Sequence, residues 1–341
     1  MTLRAGTRAA KWSSPPEPAD GRTPPMPSAR MLASLNTVAL DGDRSTGGRP
    51  SRPMVYLLPL GGTARCTEED TMAEDRPPTG PLAKLDTTVP HSARTWNYWL
   101  GGKDNFAIDR QVGDQIRAVY PAIVDVARES RAFLGRAVRH LAGDVGVRQF
   151  LDIGTGLPTA DNTHEVAQRV DPTSRIVYVD YDPLVLVHAR ALLVSTPEGA
   201  TDYVDADVRD PEKVLVEAAR ILDFDQPIAL MLLGVLGNVL DDDQAYSIMD
   251  RLLAAVPSGS YLVFEDGTNM VSPEAAAEAE RVRAEAGDPY RLRSPEQAAG
   301  FFRDLELLEP GIVSVSQWRP EPNPAGPPPL VDALGAVGRK P

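Results

Sequence analysis

Phe150-Leu-Asp-Ile-Gly-Thr-Gly-Leu-Pro-Thr159 is an apolar run that stops at a Gly-x-Gly turn, with Asp152 two residues before the first glycine. The pattern is that of a buried strand opening into a loop where the backbone must approach a ligand closely. Glycine suits Gly154 and Gly156 because a β-carbon would obstruct positive φ angles or the ligand itself. The loop leads into His164-Glu-Val-Ala-Gln-Arg-Val170, which reads as a helix whose exposed N-terminal N–H groups favour a negatively charged group. A ligand with a nucleoside or a carboxylate is expected here; a plain strand-to-helix turn is the alternative.

Two further runs narrow the choice. Arg175-Ile-Val-Tyr-Val-Asp180 is rich in β-branched residues and ends in an acid 24 residues after Gly156, with Tyr181 following. An acid at the tip of the second strand is placed to accept hydrogen bonds from ribose hydroxyls. Asp202-Tyr-Val-Asp-Ala-Asp207 again ends in carboxylates, followed by Val208 and the turn Arg209-Asp-Pro211. Three successive strands, each with an acid at its C-terminal end, form one constellation.

Among nucleoside ligands, a dinucleotide asks for a third glycine where this chain has Thr159, preceded by Pro158. Asp152 would also repel a pyrophosphate. S-adenosylmethionine carries a positive amino group and a positive sulfonium, so acids beside the glycine turn help it. In that reading Asp152, Gly154, Thr155, Gly156 and Thr159 surround the cofactor. Asp180 holds the ribose and Asp207 accepts from the adenine amino group, with Tyr181 and Val208 also among the cofactor-binding candidates.

The chain resembles a bacterial family of S-adenosylmethionine-dependent methyltransferases long catalogued as a domain of unknown function. The resemblance is carried by Tyr98-Trp-Leu-Gly-Gly-Lys-Asp-Asn-Phe106, by Phe150–Thr159, by Tyr178-Val-Asp-Tyr-Asp-Pro183 and by Ala206-Asp-Val-Arg-Asp-Pro211. Pro257-Ser-Gly-Ser-Tyr-Leu262 and Ser316-Gln-Trp-Arg-Pro320 add to it, so the match spans Val89 to Arg339. It implies a class I methyltransferase fold, a Rossmann-like α/β sheet, and binding of S-adenosylmethionine. It implies no particular acceptor. Members of the family often carry His-Phe where this chain has Gly237-Asn238, which leaves Asn238 as a weaker substrate-side candidate. A protein that binds the cofactor without turnover is the alternative function, and an NAD-dependent oxidoreductase a more distant one.

Composition sets limits on partners. The 341 residues carry a formal charge of −13, but residues 1–71 hold nine Lys/Arg against seven Asp/Glu. The acidity therefore belongs to the remainder, a poor electrostatic match for nucleic acid or an anionic membrane. No run approaches a membrane span and no signal peptide is evident, so a cytoplasmic protein acting on a small-molecule acceptor is expected. Cys66 is the only cysteine, and His91, His140, His164 and His188 show no metal-ligand spacing; no metal is expected. Residues 1–80 are rich in Pro, Arg, Ser and Gly and bury too little surface to offset ordering entropy. They read as disordered, or as a mis-annotated extension if Met72 is the true start.

The domain is expected over residues 89–319, with a helical cap at 92–142 and a C-terminal tail at 320–341. Helices are predicted from Ser92 to Arg110 with a break at Gly101-Gly102, from Asp109 to Val119 and from Ala122 to Ala142. Trp96, Tyr98 and Trp99 either line the site or pack the cap. Gly101-Gly102-Lys103-Asp104-Asn105 is either a plain helix stop or a loop closing on the cofactor. In the second case Lys103 or Asn105 reaches the methionine carboxylate.

Pro227-Ile-Ala-Leu-Met-Leu-Leu-Gly-Val-Leu236 reads as a central strand buried on both faces. Asp241-Asp242-Asp243 reads as the cap of a helix from Gln244 to Val256. Tyr261 to Phe264 is a fifth strand, with Glu265 and Asp266 at its tip. These two acids and His164 are candidates for a general base, and none is assigned. Helices over Pro273 to Ala286 and Ser294 to Arg303 precede two last strands, Leu305 to Leu308 and Ile312 to Val315. The alternation predicts a mostly parallel sheet with an antiparallel C-terminal edge.

Overall fold

In the computed structural model, which describes residues 85–192, 194–324 and 326–341, the Phe150 stretch forms the central strand. This strand, β1 (Gln149–Ile153), is buried at all five positions. Its side chains alternate between two cores, as strand geometry demands. Phe150 packs with Phe133, Leu141 and Ile176 on one face, while Leu151 and Ile153 pack with Val177, Leu230 and Leu252 on the other. A strand covered on both faces has no polar side, which is why its sequence is a continuous apolar run. The expectations for residues 1–80, with Cys66 and Met72, lie outside the described residues.

Parallel neighbours flank β1: β2 (Arg175–Asp180) on one side and β4 (Ala229–Leu233) on the other. Beyond them lie β3 (Ala200–Asp205) and β5 (Tyr261–Gly267), also parallel. The order β3-β2-β1-β4-β5 reverses direction between β1 and β4, and that reversal opens a crevice at the strands' C-terminal ends. One core is covered by α2 (Ala107–Val119), α3 (Ile123–Arg139), α4 (Thr163–Val170) and α8 (Pro273–Glu285); the opposite core is covered by α6 (Pro211–Ala218), α7 (Asp242–Ala255) and α9 (Pro295–Ala299). Before α2 stands α1 (Ser92–Trp99), and α5 (Pro183–Leu192) follows β2. This is a mostly parallel, Rossmann-like sheet with antiparallel edge strands, the architecture expected from the sequence.

Local signals account for most boundaries. Asp241 caps α7 by accepting from the Gln244 N–H at 2.8 Å. Ser294 and Gln297 form a reciprocal capping box at the start of α9, with Pro295 in its first turn. Helix α9 is shorter than expected: it ends at Ala299 and continues as a 3₁₀ turn through Phe302. No helix among the described residues is long and apolar enough to cross a membrane.

The C-terminal edge departs from expectation. The predicted strands at 305–308 and 312–315 are two-residue pieces, β6 (Glu306–Leu307) and β7 (Val313–Ser314). The main antiparallel strand is β8 (Ala333–Arg339), which pairs with β5 on one side and with β6 and β7 on the other. Residues 320–341 are therefore not simply a tail. The run Ala333-Leu-Gly-Ala-Val-Gly-Arg339 looks like loop because it is small and carries two glycines. In the sheet those glycines are required by packing. A β-carbon on Gly335 would lie 2.8 Å from Val315 and 3.0 Å from the Phe133 ring, and one on Gly338 would lie 2.7 Å from Phe302.

Candidate active site

The crevice is walled by the ends of β1, β2, β4 and β5, by the loop after β3, and by residues of α1 and α3. Its floor is the turn after β1. Gly154 and Gly156 have φ angles of +74° and +67°, values that disfavour a side chain. A β-carbon on Gly154 would also strike Val235 at 2.5 Å, whereas one on Gly156 would meet nothing within 4 Å. Gly154 is thus demanded by packing against the loop after β4, and Gly156 leaves open space over the crevice. The turn is pinned by Gly154 N–H and Thr155 N–H donating to the Val179 carbonyl. Gly156 N–H donates to Asp180 Oδ2 at 2.9 Å.

Buried acids gather along this edge. Asp152 accepts from the Thr163 hydroxyl at 2.6 Å. Burial raises its carboxyl to about 6, against the pull of Thr163 and of the Arg131 guanidinium and with the push of Asp180. Burial also raises Asp180, opposed by the N–H groups of Asp182 and Gly156. Glu265 is pushed up to about 8, by burial first and by neighbouring Asp266 second, with the Ser130 hydroxyl opposing at 3.0 Å. Several carboxyls held in a desolvated crevice favour an arriving cation, which would lower the cost of their charge.

Of the residues predicted from sequence, Asp152, Gly154, Thr155, Gly156, Thr159, Asp180, Tyr181, Asp207 and Val208 all line the crevice. Asp207 also pairs with Arg209 at 2.8 Å. Lys103 and Asn105 do not line it. The Asn105 amide donates to Asn97 Oδ1 at 2.9 Å and to the Gly102 carbonyl at 3.0 Å. Gly101 adopts a φ of +82°, and the Leu100 N–H closes α1 onto the Trp96 carbonyl. The glycine pair ends α1, and Asn97 ties down the loop that follows it.

Trp96 and Trp99 line the crevice, while the Tyr98 hydroxyl points to Asp114 at 2.7 Å. Asn238 and Glu265 line it too. His164 is buried elsewhere, with Nδ1 2.8 Å from the Tyr178 hydroxyl. Asp266 does not line it: its carboxylate is held by the Tyr290 hydroxyl and by Arg293, itself almost fully buried.

Sequence reasoning missed Thr95, Ser130, Arg131, Arg283 and Tyr290, all of which line the crevice. Ser130 and Arg131 carried a usable signal. They stand three and four residues after Ala127, on the same face as the apolar stripe of α3. Arg131 Nη2 donates to the carbonyls of Ala160 and Asp161 at 3.1 and 3.2 Å. Its burial lowers the guanidinium from its ordinary value, offset first by Asp152.

The donor set fits S-adenosylmethionine. The crevice offers carboxylates for its positive centres, the half-buried Arg131 guanidinium for its carboxylate, and the buried Thr95 hydroxyl, which has no protein partner.

Comparison with known proteins agrees. The profile of the family described as S-adenosyl methyltransferase matches residues 78–341. The crystal structure of a DUF574 family protein from Streptomyces avermitilis is 46% identical, with a TM-score of 0.73 over 75% of this chain and 99% of that one. A candidate methyltransferase from Thermobifida fusca is 41% identical, with a TM-score of 0.69 over 77% of this chain and 99% of its own. No curated protein matches. An acid-lined crevice at the sheet's reversal point and a match over the whole described domain lead to one assignment: the chain belongs to the S-adenosyl methyltransferase family, and its cofactor is S-adenosylmethionine.

Proposed function

We propose that this protein transfers a methyl group to a hydroxyl or amine of a small molecule, with Glu265 taking the released proton. The observation that carries this reading is the position of Glu265: a buried carboxyl at the tip of β5, in the wall of the crevice. When bound, the cofactor's sulfonium supplies a methyl group activated for in-line displacement. The chain's own task is then to hold the two reactants close and aligned, exclude water and accept a proton. Asp180 would hold the ribose and Asp207 the adenine amino group, with Tyr181 and Val208 beside them. Asp152 would favour the amino group. Arg131, rather than Lys103, would pair with the methionine carboxylate. A net charge of −13 supports a small acceptor over nucleic acid.

Calorimetric titration of the full chain with S-adenosylmethionine, S-adenosylhomocysteine and NAD tests the cofactor roles. Binding of the first two without NAD is expected. Asp180→Ala should weaken S-adenosylmethionine by about 1–3 kcal/mol, the worth of a charge-assisted hydrogen bond left unmade. Unchanged affinity would remove Asp180 from the ribose. Transfer of a labelled methyl group to an added acceptor separates an enzyme from a protein that only binds the cofactor.

A further inference from the structure

A second cavity adjoins the crevice behind Trp96 and Trp99. The two spaces share five wall residues, Trp96, Trp99, Glu265, Arg283 and Tyr290. Beyond that shared wall the lining becomes apolar, with Ile116, Tyr120, Val126, Ala276 and Ala279, all buried.

The charged groups around it are already engaged. Asp332 accepts from the Tyr120 hydroxyl and from the N–H groups of Val271 and Ser272. Arg283 pairs with Asp288 at 2.8 Å and stacks over the Tyr290 ring at 4.4 Å. Glu280 accepts from the Leu292 N–H. Thr268 is different: it is 1% exposed, lines this cavity and not the crevice, and its hydroxyl has no partner. A buried hydroxyl left unpaired costs free energy comparable to a lost hydrogen bond, and the group that satisfies it is a water or a ligand atom. The volume is about 60 Å³, less than the roughly 150 Å³ that takes a benzene ring, so a ring seated here also occupies the adjoining part of the crevice across the shared wall.

We propose that this cavity is the acceptor chamber and that it takes a neutral, single-ring molecule of the phenol or aryl-amine class. Its ring packs between Trp99, Tyr120 and the alanines of α8, Thr268 bonds a polar substituent, and the nucleophilic oxygen or nitrogen faces Glu265. The inference rests on the methyl-transfer reading of the crevice. In the step it implies, the nucleophile's lone pair forms a bond to the methyl carbon while the methyl–sulfur bond breaks. That bond's electron pair stays on sulfur, and the nucleophile's proton passes to the Glu265 carboxylate.

The test uses the full chain and two probes, 4-methylphenol and 4-methylaniline, with glycerol as polar comparator. Binding is read by saturation-transfer NMR with and without S-adenosylhomocysteine, whose own affinity is measured by calorimetry. Both ring probes should bind and glycerol should not. Ala276→Phe, which fills the chamber away from the crevice, should weaken the probes at least tenfold and leave S-adenosylhomocysteine affinity unchanged. Thr268→Val, close to isosteric, gives a second variant should Ala276→Phe fail to fold, and it should weaken the probes severalfold. Probes that do not bind, or that bind both variants as they bind the wild type, would overturn the chamber. Loss of S-adenosylhomocysteine binding in the wild type would instead sink the cofactor reading, and the probe titrations without it would still decide the chamber.

Discussion

Glu265 has an ordinary value of 4.5 and is held near 8 in the folded chain. An acid whose folded value is raised binds its proton more tightly when folded. It therefore contributes stability below pH 4.5 that is lost as pH rises towards 8. Each pH unit in that window is worth about 1.4 kcal/mol at most. Glu265→Gln has nothing to ionise and keeps an acceptor for Ser130. Relative to the wild type its stability should match near pH 4.5 and exceed it by a few kcal/mol, on the order of magnitude, above pH 8. Urea unfolding at both pH values checks this, and a gap independent of pH would contradict it.

At the same scale, the carboxylate roles of Arg131 and Lys103 can be separated. Arg131→Ala should weaken S-adenosylmethionine about tenfold or more, as loss of a charge-assisted bond does. Lys103→Ala should leave it unchanged. The opposite result in calorimetry would return the role to the glycine-pair loop. The sequence made Lys103 attractive because two glycines before three polar residues look like a ligand loop. The competing fact, Asn97 seated beneath that loop and accepting from Asp104 N–H and the Asn105 amide, is a contact between residues on a helix and beyond its end.

Elements whose signals are local behave as their sequences predict. Strand β2 begins and ends where its β-branched run does, because the acid and proline that follow it do not extend a buried strand. The start of α9 is written in Ser294, Pro295 and Gln297. Ser294→Ala removes one side of that capping box, so it should cost about 1 kcal/mol in equilibrium unfolding. Cofactor affinity should not change, since Ser294 does not line the crevice; a fall in affinity would mean that α9 is coupled to the site. The acids at strand tips were legible for the same reason: a side chain just past a strand's C-terminus lies at the sheet edge whatever the rest of the chain does.

At the scale of the whole molecule, β8 is the element that completes the sheet. It covers the edge of β5 over seven residue pairs, and Ala333, Leu334, Ala336 and Val337 are buried. Removing residues 330–341 would bare that edge, orphan the Tyr120 hydroxyl from Asp332 and open both cores. The shortened chain should lack a cooperative thermal transition and aggregate. A soluble, cooperatively unfolding product would show that β5 is a sufficient edge.

Read by itself, the amino-acid sequence determined the parallel half of this protein: β1 with its glycine turn, β2 ending in Asp180, the buried β4 and the crevice they open. Those features depend on hydrophobic runs, glycine conformations and acids at strand ends, all set within a few neighbouring residues. Only the tertiary structure decided that β8 is a strand, that Arg131 and Thr95 reach the crevice, and that Thr268 lies unpaired in an apolar chamber. Small residues are poor strand formers until Phe133, Val315 and Phe302 close on them, and a hydroxyl counts as unsatisfied only once packing has taken its water away.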